Sequence, residues 1–143
     1  MKAKQFYGRN LPHLQPGGGC FFVTFRLKDS IPLIKLAQLK EKYENLQVTK
    51  RNQAIQYKLQ KRFFGEYDQL LDAIESGPTY LKQPTIAQIV RQEIHQFDSK
   101  WYDLLAYTIM PNHVHLLVDT SLQLVEGKVM ENNVYLHKIM NQI

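Results

Sequence analysis

Two histidines separated by one apolar residue, His113-Val114-His115, have the types and spacing that could most directly do chemistry in this chain. They stand within Met110-Pro111-Asn112-His113-Val114-His115-Leu116-Leu117-Val118. From His113 to Val118 every residue other than the two histidines is apolar. Such a run reads as a strand, and side chains alternate across a strand. His113, His115 and Leu117 then share one face. Val114, Leu116 and Val118 share the other, which is a core face. Residues two apart on a strand have Cα atoms about 7 Å apart. Two imidazoles so placed can converge on one metal ion, and neutral imidazole is the commonest protein metal ligand. The alternative, two histidines packed on a half-exposed sheet face, needs no metal and stays open on these residues alone.

The wider stretch Tyr107-Thr108-Ile109-Met110-Pro111-Asn112-His113-Val114-His115-Leu116-Leu117-Val118 resembles the signature of the HUH single-tyrosine transposases. In that name H-U-H stands for His, a bulky apolar residue, His. The stretch is most similar to the REP-associated tyrosine transposases, a branch that resembles the transposases of small insertion sequences. Three further stretches agree with the same branch. Asn10-Leu11-Pro12-His13 with Gln15-Pro16 resembles its N-terminal segment, and Phe21-Phe22-Val23-Thr24-Phe25-Arg26-Leu27 its first strand. Leu136-His137-Lys138-Ile139-Met140 resembles the start of the helix after its HUH strand. The resemblance spans nearly the whole chain, in the family's order.

The resemblance implies an enzyme that cuts single-stranded DNA at or near a folded hairpin and transfers the strand. A tyrosine hydroxyl attacks a phosphodiester and becomes joined to the 5′ phosphate. A divalent cation, Mg²⁺ or Mn²⁺, held by two histidines, polarises the scissile phosphate. His113 and His115 match those two positions. The N-terminal segment, with Arg9 and His13, is expected to touch the DNA; Arg26 and Lys138, in two of the matching stretches, join them as expected nucleic-acid contacts. Phosphate contact by Arg9 and base stacking by His13 are physically reasonable. Family transposases are commonly dimers and some of this branch act as monomers, so a homodimer is one state the resemblance implies.

The physical logic is consistent. A phosphodiester is anionic and resists a neutral hydroxyl, and a bound cation offsets charge in the transition state. Tyrosine, with a free pKa of about 10, needs activation. Imidazole suits softer transition metals better than Mn²⁺, and Mg²⁺ prefers oxygen, so either family metal needs a third, polar ligand. Two histidines alone specify no metal. In the family the nucleophilic tyrosine lies on a later helix, well past the HUH strand. Tyr135 is the only tyrosine after His115 here. It lies too early to match, and packing in the first turns of a helix is its expected role. The expectation is a single domain, 1–143, truncated before the tyrosine helix. A non-cleaving hairpin-DNA binding protein, or a decayed transposase remnant, is the alternative.

The rest of the chain must position the pair. At 143 residues it is long enough for a substantial core. Its hydrophobic content of 44% and charged content of 22% are those of a globular protein. No apolar run is long enough to span a bilayer and no signal segment opens it, so a cytoplasmic protein with no membrane partner is expected. A single cysteine, Cys20, excludes an internal disulfide and a Cys-rich zinc site. Opening an apolar strand, it is expected to be a buried, inert thiol. A net charge of +5 favours a polyanionic partner without requiring one. Lys50, Arg51, Lys58, Lys61 and Arg62 form a basic group that suits either a solvated helix face or DNA.

Residues 1 to 19 lack periodicity and end in Pro16-Gly17-Gly18-Gly19, which predicts a flexible loop. Residues 20 to 27 predict a strand with Phe21, Val23, Phe25 and Leu27 on one face and Cys20, Phe22, Thr24 and Arg26 on the other. Leu33, Leu36, Leu39, Tyr43 and Leu46 predict a helix. Phe63, Phe64, Tyr67, Leu70, Leu71 and Ile74 predict a second, ended by Ser76-Gly77-Pro78. A third is expected to start at Thr85 with a capping box, Thr85-Ile86-Ala87-Gln88, and a stripe of Ile86, Ile89, Val90, Ile94 and Phe97. Residues 101 to 109 and 113 to 118 predict a hairpin joined at Met110-Pro111-Asn112. A loop over 119 to 131 and a last amphipathic helix from Asn132 or Asn133, with Leu136, Ile139, Met140 and Ile143, complete the chain. His95 and His137 fall on helix surfaces. The order strand, helices, strand, strand, helix predicts an α+β, ferredoxin-like antiparallel sheet with helices on one face, incomplete at its C-terminus.

Overall fold

The computed structural model describes residues 5–9, 11–15, 18–48, 52–126 and 128–129, with residues 5–9, 11–15, 47–48 and 129 described in their backbone alone. The protein is α+β, as its pattern predicts. It forms two compact units: Arg26–Thr79, and the residues on either side of that segment.

In the flanking unit, β1 (Gln5–Arg9) and β2 (Leu11–Gln15) pair antiparallel. Part of the predicted loop is therefore a hairpin. Strand alternation cannot reveal it, because Gly8 faces Pro12 next to the turn-end pair Arg9–Leu11, and both residues are depleted from strands. The main sheet contains β3 (Cys20–Arg26), β4 (Asp103–Ile109) and β5 (His113–Asp119), in the order β3-β5-β4. β4 and β5 pair antiparallel, with Thr108 opposite His115 and Tyr107 opposite Leu116. On the other side of β5, the Thr120 N–H donates to the Gly19 carbonyl (3.0 Å). Further along, Thr24 meets His115. Pairing 19 with 120 and 24 with 115 runs the strands in opposite directions. The strand bearing the two histidines is thus central, as three strands of a ferredoxin-like unit require.

Val114, Leu116 and Val118 are fully buried, as are Ile94 and Tyr102, and Leu81 and Phe97 are buried. Burying each such side chain stabilises by about 1.5–3 kcal/mol. α3 (Pro84–Gln96) covers this face. The Tyr102 hydroxyl donates to the Ile94 carbonyl, and His95 stands edge-on to Tyr107. Burial pushes the Tyr102 phenol up to about 12. The helix starts one residue earlier than predicted. Gln83 is extended and holds the N-cap position with no side-chain bond, and Pro84 follows inside the helix. Proline's fixed φ is ready-made for the first helical position, so Thr85 lies inside the helix and forms no capping box. Ile89, expected in the stripe, is 58% exposed.

Gly18, two residues before β3, has φ +77°, and a Cβ there would stand 2.4 Å from Leu124. Only glycine satisfies both conditions. The predicted loop over 119 to 131 contains a 3₁₀ turn (Ser121–Gln123) and two short paired strands, β6 (Leu124–Val125) and β7 (Lys128–Val129). The expected last helix, with Tyr135, His137 and Lys138, lies outside the described residues.

The segment Arg26–Thr79 is a helical hairpin of α1 (Leu33–Val48) and α2 (Gln53–Asp72). Lys42 of α1 pairs with Glu66 of α2, and Lys35, earlier in α1, pairs with Glu75, three residues past the end of α2, so the two helices run antiparallel. Ile31, Leu36 and Leu71 form its buried cluster, with Tyr67 and Leu70 against it. Leu33, predicted in the stripe, is 75% exposed; at 100° per residue it lies about 90° round the helix from the centre of the arc of Leu36, Leu39 and Tyr43. α2 begins ten residues before Phe63 because Asn52 caps it, its side chain accepting from the Ala54 N–H. Among the described residues no helix is long and apolar enough to cross a membrane.

Candidate functional site

The two-residue connection Pro111-Asn112 is closed by the Met110 N–H donating to the His113 carbonyl (2.8 Å). The Pro111 carbonyl accepts from Leu81 (3.1 Å). This fixes the start of β5, and strand parity then places His113 and His115 on the face away from α3. Cys20, Phe22 and Thr24 of β3 present their side chains to the same face. Cys20 is exposed, against the expectation of a buried thiol, because the parity of β3 aims it at the side that α3 does not cover.

His113 is 1% exposed and Asn112 fully buried. The Asn112 amide oxygen can only accept, so the Nδ1–H of His113 donates to it (2.7 Å). The His113 Nε2 is then an acceptor, facing the His115 Nε2 at 3.2 Å. The rings are nearly perpendicular, with centroids 4.8 Å apart. The His115 Nδ1 meets the Thr24 hydroxyl at 2.8 Å. With both rings neutral, one chain of donors runs Thr24 to His115 to His113 to Asn112. Shifting a single proton reverses its first link: the His115 Nδ1–H donates to Thr24, and both Nε2 lone pairs face one point.

That second arrangement is a two-nitrogen chelate. Nitrogens held about 2.1 Å from one ion, about 90–110° apart, stand about 3.0–3.4 Å from each other. The observed 3.2 Å falls within that span. Metal-binding histidines characteristically donate their second ring N–H to a carbonyl or similar acceptor, which fixes tautomer and orientation. Asn112 and Thr24 occupy those positions. The residues therefore fit a divalent cation bound by His113 and His115. Among the described residues no group of three or more His, Cys, Asp or Glu converges as a metal site.

Phe22 lies against the His115 ring, with centroids 5.2 Å apart and planes 25° apart, and is 62% exposed. One face of this aromatic ring supports the imidazole while the residue stays largely in solvent. Asp119, at the far end of β5, has its carboxyl held below the usual range by the Ser121 hydroxyl and N–H.

Of the other expected contacts, Arg26 directs its Nε to the Tyr67 hydroxyl (2.8 Å) and its Nη1 to the Leu27 carbonyl (3.3 Å) and Ser30 (3.4 Å). Burial pushes the Tyr67 phenol up, against the pull of Arg26. The backbones of Arg9 and His13 lie in β1 and β2. Their side chains, with Lys138 and Tyr135, lie outside the described residues. Sequence reasoning named the two histidines and missed their partners. The signal for Asn112 was a polar residue directly before a buried strand. Thr24 and Phe22 could be found only once β3 was known to lie beside β5. The chain matches no family model, no curated protein and no solved structure.

Proposed function

We propose that this chain is an HUH-type, transposase-like domain that acts on single-stranded DNA carrying a hairpin, with His113 and His115 holding a divalent cation, Mn²⁺ or Mg²⁺. The convergence of the two Nε2 atoms at 3.2 Å, each ring oriented by a partner on its other nitrogen, carries this reading. When bound there, the cation supplies Lewis acidity to a phosphoryl oxygen of the scissile phosphodiester. His113 and His115 position it, Asn112 and Thr24 fix the rings, and Phe22 offers an aromatic face on which a base beside that phosphate can stack. In the family reaction a tyrosine Oη–P bond forms as the P–O3′ bond breaks, and the 3′-hydroxyl leaves with a proton. No tyrosine among residues 1–143 matches the family position of that nucleophile. A second reading for these residues is hairpin-DNA binding without cleavage. A homodimer suits either reading, as does a cytoplasmic compartment, where a lone cysteine stays reduced.

The test is to incubate the protein with end-labelled hairpin DNA and Mn²⁺, then separate the products under denaturing conditions. A nick dependent on both His113 and His115 supports the enzyme. Binding to the folded strand with no nick supports the second reading. Failure to bind at low salt, where phosphate contacts are strongest, overturns both.

A further inference from the structure

The first two-thirds of α2 has a one-sided chemistry. From Gln53 to Gly65 the helix contains Lys58, Lys61 and Arg62 and no acid. At 100° per residue, Tyr57, Lys61, Gly65, Lys58 and Arg62 fall within one arc of about 140°. All five are exposed, while Leu59 and Phe63 on the opposite side are buried. Lys61 lies over the Tyr57 ring, 4.7 Å from its centroid, which keeps the ammonium out along the surface. Arg62 stands at the margin, where its charge also acts on Glu66.

A solvated helix face explains the charges but not Gly65. Glycine is the poorest helix former apart from proline, and this one sits in the interior of a helix. Its φ is not in the left-handed region, so the backbone does not demand it. A Cβ there would meet nothing within 4 Å, so packing does not demand it either. The remaining physical use of a missing side chain is to let a partner approach the backbone closely. Gly65 lies at the angular centre of the basic arc and at its C-terminal end, one turn from Lys61 and Arg62.

We propose that this face of α2 is a docking surface for the phosphodiester backbone of DNA, with Lys58, Lys61 and Arg62 as phosphate contacts around a close approach at Gly65. Charge complementarity selects a polyanion; that the polyanion is DNA rests on the function proposed above. The contacts are to phosphate and carry no base sequence.

The experiment measures anisotropy of a labelled DNA hairpin with the full chain between 50 and 200 mM salt. The Lys58→Gln, Lys61→Gln, Arg62→Gln triple variant lowers the slope of log affinity against log salt by about 0.9 per lost contact, up to about 2.7. A control neutralising Lys28, Lys82 and Lys100 leaves the slope nearly intact. Gly65→Gln separates binding from folding: the helix gains a better former, so the unfolding midpoint rises, while affinity falls roughly tenfold, the scale of one charge-assisted contact. If Gly65→Gln and the triple variant bind like the parent, or the control loses as much as the triple variant, the surface is not a docking site and the DNA reading stands without it. If the parent chain binds no DNA, both fall.

Discussion

Two polar clusters in this protein are built on opposite principles. In the helical hairpin, Glu66 of α2 accepts from the Lys42 ammonium (2.9 and 3.0 Å) and from the Tyr43 hydroxyl (2.7 Å). Every group meets its complement, acid with cation and acceptor with donor. In the sheet, His113 and His115 are alike: two bases turned toward each other, with Asn112 and Thr24 behind them. Neutral imidazoles so placed share one proton across the gap, and nothing in that contact is charge-complementary. A cluster of the first kind is finished by folding. One of the second kind is satisfied as a hydrogen-bond chain in one tautomer and, in the function proposed above, offers two lone pairs to a cation in the other. The geometry of partner atoms, more than burial or polarity, separates a structural network from a candidate site.

The sharpest way to break this contrast is to remove one base. His115→Ala should lower Mn²⁺ affinity by more than about 100-fold, beyond the 10–100-fold typical of losing an orienting partner. Thermal unfolding with and without Mn²⁺ is the measurement. The parent gains about 2.7 kcal/mol at a concentration 100 times its Kd, and the variant gains less than about 0.4 kcal/mol there. An equal gain in both would mean that the pair does not hold the ion.

A smaller effect tests the orienting partner. Thr24→Val keeps the shape of the side chain and removes the hydroxyl that faces His115 Nδ1. Mn²⁺ affinity should fall by about 10-fold or more, and Thr24→Ser should recover most of it. Titration of the metal into each protein distinguishes this from a packing effect, which serine would not repair.

The sequence revealed the strand and its two faces because a period of two is a local property. Val114, Leu116 and Val118 are buried where alternation places them. It revealed that His113 and His115 share a face for the same reason. It could not reveal Thr24 or Phe22 as their neighbours, because which strand lies beside β5 is a property of topology, ninety-one residues away in the case of Thr24. The helices show the complementary limit. Leu36, Leu39 and Tyr43 are buried as their spacing predicts, while Leu33 and Ile89 fit the same spacing and are exposed. At 100° per residue Leu33 lies about 90° from the centre of its buried arc and Ile89 about 140° from Ile94, so both stand at the edge of their stripes, and spacing alone does not say how wide an arc the neighbouring elements cover.

The smallest effect tests the finished cluster. Lys42 first, then Tyr43 and the charges of Lys42 and Arg62, hold the Glu66 carboxyl below its usual range, against the opposing effect of burial. A depressed folded pKa means that the folded state favours the charged carboxylate. Its contribution is present above the unfolded pKa of about 4.3 and is lost as pH falls through the folded value. The side chain is 34% exposed, so solvent screens the pair and the contribution is about 0.5 kcal/mol. Glu66→Gln should therefore cost about that much at pH 7, and the gap between the two denaturation curves should close as pH drops below about 4. It should leave the Mn²⁺-dependent gain in stability unchanged, because Glu66 belongs to the cluster that folding completes. A loss of that gain in Glu66→Gln would show that the two clusters are coupled, and the distinction between them would not hold.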